Sequence, residues 1–250
     1  MGRFDGKTAV ITGGSSGIGL ASATLLADEG AHVFIIGRRD AEVGSAVETI
    51  GDDRATGVIG DVSNRADVDR LYAAVRARGR SIDVLVANAA VASFVSLEDT
   101  TEEHLDQIFG VNVRGLLFTV QKALPLLSDA ASVILVGSTA ADRGVEAFGA
   151  YAASKAAVRS LARTWTTELA PRGIRVNVVS PAWIETPGGM AAFGDDDAAR
   201  AMKEHVAATV PRGRMGSPEE AAAVVAFLAS PESSYVVGAN LYVDGGANQV

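Results

Sequence analysis

Seven short, apolar, β-branched runs recur along the chain, at Thr8–Ile11, His32–Ile36, Thr56–Ile59, Asp83–Ala87, Ser132–Val136, Arg175–Val179 and Asn240–Val243, and most of the segments between them carry helical periodicity. This alternation predicts a parallel sheet with helices on both faces, because parallel strands need long crossovers and helices supply them. Runs apolar on both sides of the strand also demand cover on both faces. The expectation is one doubly wound α/β domain over residues 1–250, with a seven-stranded, mainly parallel sheet. Such sheets bind ligands beyond the carboxyl ends of their strands, so function belongs in the turns that follow them.

Composition narrows the partners. With 22 basic and 30 acidic side chains the net charge is −8, and the basic residues are scattered. That disfavours nucleic acid and anionic membrane, which need concentrated Lys and Arg. The chain has no cysteine, which excludes disulfides, a thiol nucleophile and a zinc–thiolate site. The longest purely apolar run, Ala221–Ala229, is about half of the ~20 residues that a membrane-spanning helix needs. The first strand follows so soon after Met1 that a signal peptide has no room, and a cytoplasmic protein is expected. His32, His104 and His205 lack zinc-ligand spacing, and Asp195-Asp196-Asp197 lacks the glycine and alternating ligands of a calcium loop, so no metal is expected.

The first candidate site follows the first strand. Thr12-Gly13-Gly14-Ser15-Ser16-Gly17-Ile18-Gly19-Leu20 leads into a helical pattern from Leu20 to Glu29. Glycines let the backbone turn sharply and approach a pyrophosphate, while the helix start offers unpaired N–H groups and a positive dipole end. The spacing is G-x-x-x-G-x-G and no Gly-Lys-Ser/Thr closes it, so the motif is not a P-loop. Strand, turn and helix together favour dinucleotide binding over a merely tight turn. The second strand ends Ile36-Gly37-Arg38-Arg39, where a carboxylate would bind the ribose hydroxyls of NAD. Two guanidinium groups instead suit a 2′-phosphate, which points to NADP(H) as the preferred cofactor. Asp40 follows directly and leaves NAD(H) possible.

The second site lies in Tyr151-Ala-Ala-Ser-Lys155, at the start of a helical segment running to about Leu169. Helical spacing puts Tyr151, Lys155, Val158, Ala162, Trp165 and Leu169 on one face, with Ser160, Arg163, Thr164 and Thr167 opposite. A lysine on an apolar stripe needs an explanation beyond snorkelling from a helix end. Ser138, after the run Val133–Val136, reaches the same crevice. Together they fit carbonyl reduction. The phenol supplies a proton to the oxygen, the ammonium and a positive nicotinamide lower the phenol's pKa, and the serine donates a hydrogen bond to the same oxygen. Hydride moves on the nicotinamide.

These residues resemble the short-chain dehydrogenase/reductase family, in its branch of about 250 residues, and the resemblance covers nearly the whole chain. Thr12-Gly13-xxx-Gly17-Ile18-Gly19 matches its cofactor turn, and Ser138 with Tyr151-xxx-Lys155 matches its active site. The resemblance implies a Rossmann-type fold. It also implies that Asn112, in Gly110-Val111-Asn112-Val113, completes a tetrad by shaping its helix and holding a water in a proton relay to Lys155. Read from sequence alone, Asn112 is only a polar residue in a helical segment. By the same resemblance Gly13, Ser15, Ser16, Gly17, Ile18 and Gly19 hold the dinucleotide, with Arg38 and Arg39 at its 2′-phosphate by their own chemistry, while Asp61-Val62 flank the adenine and Asn88-Ala89-Ala90 lie along the cofactor with Tyr151 and Lys155. Pro181, Ala182, Ile184 and Thr186 complete that set, with Thr186 reaching the nicotinamide carboxamide. Two departures stand out: Ala90 replaces the family's glycine, and Ala182-Trp183 follows Pro181 where the family has glycine, which sets an indole near the substrate space.

Between Thr186 and Pro218 glycine, proline and charge cluster, as a substrate lid over about 187–216 or an exposed connection would require. Candidate pocket walls are Phe94, Val145, Phe148, Trp183, Met190 and Phe193. The expected activity is interconversion of a ketone and a secondary alcohol on a free, moderately apolar small molecule. Two alternatives are a reductase of carrier-bound 3-oxoacyl groups, docking its acidic carrier on Arg172 and Arg175, and a non-catalytic dinucleotide-sensing protein on the same fold. The resemblance further implies a homotetramer, with the Thr101–Leu127 and Tyr151–Leu169 helices at its interfaces.

Overall fold

The computed structural model describes residues 2–191 and 197–250. Strands β1 (Thr8–Thr12), β2 (His32–Gly37), β3 (Ala55–Ile59), β4 (Ile82–Ala87), β5 (Leu127–Val136), β6 (Arg175–Pro181) and β7 (Asn240–Val243) form one sheet in the order β3-β2-β1-β4-β5-β6-β7. Every pairing is parallel. The strand order reverses between β1 and β4, and the crevice at that point is where a doubly wound sheet binds its ligand.

Helices α1 (Gly17–Asp28), α2 (Asp40–Ile50), α3 (Arg65–Ala77), α4 (Glu102–Phe109), α5 (Leu116–Ala123), α6 (Gly149–Leu169), α7 (Pro187–Ala191), α8 (Asp197–Thr209) and α9 (Pro218–Ala229) make the crossovers. Alternate residues of the inner strands feed two cores. Val10, Phe34, Leu85 and Val176 pack with Leu71 of α3, Val120 of α5 and Val158 of α6. Ile11, Ile35, Val86 and Val179 pack on the other face with Leu26 of α1, Val43 of α2 and Val225 of α9. Cover on both faces explains why the strands read as near-continuous apolar runs. Among the described residues no helix is long and apolar enough to cross a membrane.

The segment expected to be one helix over Thr101–Leu127 is broken. A π turn at Gly110–Gly115 separates α4 from α5, and α5 ends at Ala123. Pro125 lacks the N–H that would continue the ladder. β5 then starts at Leu127 rather than Ser132, through Ala130 at φ 63°, and its register against β4 shifts between Ile82 and Val84.

The expected lid departs from β6 and rejoins at a fixed point. Ile184 and Gly216 form an isolated parallel bridge, with Glu185 N–H donating to Gly216 O and Gly216 N–H to Trp183 O, both at 2.9 Å. The two ends of the excursion are therefore fastened together beside the sheet. Phe193, Asp195 and Asp196 lie outside the described residues.

Candidate active site

At the switch point β1 delivers Thr12 and the glycine turn. Gly13 sits at φ +64°, and a Cβ on Gly19 would lie 2.1 Å from the Gly13 carbonyl oxygen, so α1 packs on the turn at a distance open only to glycine. Asn88, just past β4, closes the other side. Its Nδ2 donates to the carbonyl oxygens of Thr12 and Gly13 at 3.0 and 3.2 Å, while Thr12 Oγ1 accepts from the N–H groups of Asn88 and Ala89, both at 3.0 Å. Thr12 is thus the lock between the two turns, a role that its place in the motif did not reveal. Ser16 precedes α1 without a side-chain cap, and the first turn carries no acid, so its amides remain open to an anion.

A cleft of about 610 Å³ runs from this turn along the strand ends to Tyr151. Every residue expected to bind the cofactor lines it except Gly19, which lies beneath the turn. At the far end of β2, Arg38 Nη1 stands 4.0 Å from Asp61 Oδ2, and Arg39 pairs with Glu42. Both guanidinium side chains are more than 60% exposed, at 63% and 68%. A Cβ on Gly37 would lie 2.6 Å from Ser15 Oγ, so no acidic side chain fits there unless Ser15 moves. Open amides, a tight glycine turn and two guanidinium groups along one cleft fit a nicotinamide dinucleotide. Thr186 Oγ1 accepts from Gly189 N at 3.0 Å, which fixes the threonine at the start of α7 with its hydroxyl hydrogen still available.

α6 presents Tyr151 and Lys155 one turn apart at the other end of the cleft. Lys155 is 2% exposed, its Nζ donates to Val136 O at 2.8 Å, and the ammonium lies 5.6 Å from the centre of the Tyr151 ring. Ser138 Oγ accepts from Ala140 N at 3.1 Å, which leaves its hydrogen to donate. Burial pulls the Lys155 amine down to about 8. Burial also raises the Tyr151 phenol, and the hydrogen bond from Ser138 works against that rise. A neighbouring ammonium would be expected to lower the phenol, but in the folded chain desolvation is the larger effect and the phenol is raised.

Asn112 does not line the cleft. It sits in the π turn, buried, with Oδ1 accepting from Val91 N at 2.8 Å and Nδ2 donating to Val91 O at 2.9 Å and to Ser154 Oγ at 3.0 Å. Isolated π turns occur mostly inside longer helices and often at functional sites. Ser154, inside the Tyr151-to-Lys155 motif, is the residue that sequence reasoning missed: only its packing against a distant helix gives it a role.

Of the proposed pocket walls, Phe94, Val145, Phe148 and Trp183 line the cleft, whereas Met190 is half-buried outside it. Arg172 and Arg175 are not free for an acidic partner. Arg172 bonds the carbonyl oxygens of Leu124 and Leu127 and meets Asp129, and Arg175 is buried, donating to Ser233 Oγ and Ser230 O. Both hold loops together. Among the described residues no three His, Asp or Glu side chains group as a metal site would require.

The family described as enoyl-(acyl carrier protein) reductase matches residues 13–248. Oxidoreductase asL5 of Sarocladium schorii is 44% identical over 250 residues, covering 99% of this chain and 98% of that protein. A short-chain dehydrogenase/reductase described as a glucose/ribitol dehydrogenase, from Brucella melitensis, superposes with a TM-score of 0.93 at 30% identity, covering 100% of this chain and 99% of the other. Levodione reductase superposes with a TM-score of 0.92 at 31% identity, covering 98% and 99%. Likeness that runs the whole length of the chain, at these identities, leaves one conclusion: the protein belongs to the short-chain dehydrogenase/reductase family and is an oxidoreductase.

Proposed function

We propose that the protein is an NADP(H)-dependent oxidoreductase that interconverts a ketone and a secondary alcohol. The observation that carries the reading is the meeting of Tyr151, Ser138 and Lys155 at one end of a cleft whose other end is the glycine turn. The bound dinucleotide supplies or accepts hydride. The chain's own residues handle the proton and the oxygen. Ser138 donates a hydrogen bond to the carbonyl oxygen, Tyr151 gives that oxygen its proton in reduction and takes it back in oxidation, and Lys155 holds positive charge beside the phenol. Asn112 is a positioning residue, acting through Val91 and Ser154. Ser15, Arg38 and Arg39 receive the 2′-phosphate, and the obstruction at Gly37 disfavours the carboxylate that a ribose diol would want.

The names of the neighbours, a glucose/ribitol dehydrogenase and a levodione reductase, support carbonyl–alcohol chemistry on free small molecules. The family description names an acyl-carrier substrate, which keeps a carrier-bound reading in view, but Arg172 and Arg175 are committed elsewhere and leave that reading without its docking residues. A single domain with a lid over about 187–216, assembly as a homotetramer and a cytoplasmic setting complete the proposal. Its test is to measure dissociation constants for NADPH and NADH and then to screen carbonyls and alcohols with the tighter one. Tighter NADPH binding and turnover of a ketone are expected. Dinucleotide-dependent binding of a partner protein, without turnover across a broad panel, would overturn the enzymatic reading in favour of a sensor.

A further inference from the structure

Three aromatic rings that reach the cleft from separate segments stand in one column. Phe94 stacks on Phe148 with ring centres 4.4 Å apart and planes at 14°, and Phe148 stacks on Tyr151 at 4.4 Å and 29°. Phe94 comes from the connection after β4 and Phe148 from the residue before α6. One backbone bond joins those segments: Val95 N–H donates to Ala147 O at 2.7 Å. Val95 adjoins Phe94 and Ala147 adjoins Phe148, so the bond sits directly behind the stacked pair. Ala147 holds φ 57°, a left-handed conformation unfavourable for any residue with a side chain. Strain of this kind persists where the surroundings over-determine it, and it clusters at ligand-binding sites. Phe94 at the open end of the column remains 44% exposed while lining the cleft, and the Trp183 indole lines the same cleft.

We propose that the Phe94–Phe148–Tyr151 column is a recognition wall for a flat ring carried on the carbonyl carbon, so that the substrates are aryl ketones and their alcohols rather than open-chain alkyl ones. The proposal rests on the oxidoreductase reading of the same site and names its substrate class. Aromatic pairs, edge-to-face as well as stacked, gain more than the area they bury, a gain that a flexible alkyl chain cannot match. The Val95–Ala147 bond sets the position of the wall, and because all three residues line the cleft while their faces stack on one another, a bound ring near Tyr151 meets the wall edge to face.

The test compares two eight-carbon ketones, acetophenone and 2-octanone, by calorimetric binding to the full-length protein saturated with whichever oxidised dinucleotide binds more tightly, where no reduction can occur. The wild type is expected to prefer acetophenone. Phe94→Leu and Phe148→Leu should each cut that preference by about 3- to 10-fold, and Phe94→Tyr, which keeps the ring, should hold it within about twofold. Thermal melting verifies that each variant is folded, and Phe94→Leu, at the exposed end, carries the test if Phe148→Leu does not fold. A column that only supports Tyr151 would weaken both ketones in parallel, and that result, an unchanged preference, or binding of neither ketone would overturn the proposal. The oxidoreductase reading fails separately, if the wild type binds acetophenone selectively yet reduces neither ketone with NADPH or NADH.

Discussion

Asn112 and Ser154 share a buried hydrogen bond of 3.0 Å, and the same Ser154 hydroxyl donates to the carbonyl oxygen of Tyr151 at 2.7 Å. The π turn between α4 and α5 is thereby tied to the turn of α6 that carries the phenol. Ser154→Ala removes one acceptor from the Asn112 amide and should cost about 1 kcal/mol in urea unfolding. Turnover should fall severalfold while dinucleotide affinity is unchanged, because Ser154 is not among the cleft residues.

Tyr151→Phe keeps the ring in its stack with Phe148 and removes only the hydroxyl. The variant should fold, bind dinucleotide within about threefold of wild type, and lose about 10²- to 10⁴-fold in kcat, the usual contribution of one proton-transfer group. Steady-state kinetics beside fluorescence titration with NADPH would measure both. Retention of most activity would remove Tyr151 from the proposed mechanism.

Lys155 gives a pH signature to the protein without added dinucleotide. Its pKa falls from 10.5 in the unfolded chain to about 8 in the fold, by burial. Between those values the unfolded chain holds a proton that the folded chain has released, so this group's contribution to stability rises with pH across that window, and the charged form is the costly one below it. Compared with Lys155→Met, the wild type should gain up to about 3 kcal/mol in unfolding free energy from pH 7 to pH 10.5. Parallel urea titrations of both proteins would read the difference, and a flat difference would contradict the burial account.

Arg38→Ala with Arg39→Ala should weaken NADPH binding by about 10- to 100-fold, as loss of charge-assisted bonds to a phosphate requires, and leave NADH within about threefold. Calorimetry with each dinucleotide distinguishes this from general damage. An equal loss for both would mean that the two arginines serve the turn after β2 rather than the 2′-phosphate.

The sheet was legible because burial on both faces makes the inner strands mostly apolar, and the observed strands begin or end within a few residues of their apolar runs. β5 is the exception, since the Ala130 irregularity that extends it arises from pairing with β4 rather than from local composition. The glycine turn could be placed from its spacing and Tyr151 with Lys155 from a lysine on an apolar stripe, whereas Asp61, Val62, Asn88, Ala89, Ala90, Pro181, Ala182, Ile184 and Thr186 were placed only through the family resemblance. What could not be placed was set by distant contacts. Ser154 looks like helix filler, Thr12 like part of a turn, and Ala147 like any loop alanine. Arg172 and Arg175 misled because an arginine that closes a loop onto carbonyl oxygens has the same letter as one that faces a partner. The π turn follows from packing that brings Asn112 against Val91 and Ser154, and helical periodicity alone reads straight through it.

The bridge between Ile184 and Gly216 has an evolutionary consequence. A segment pinned at both roots tolerates insertion and deletion as surface loops do, because a change of length inside it is not passed to the sheet.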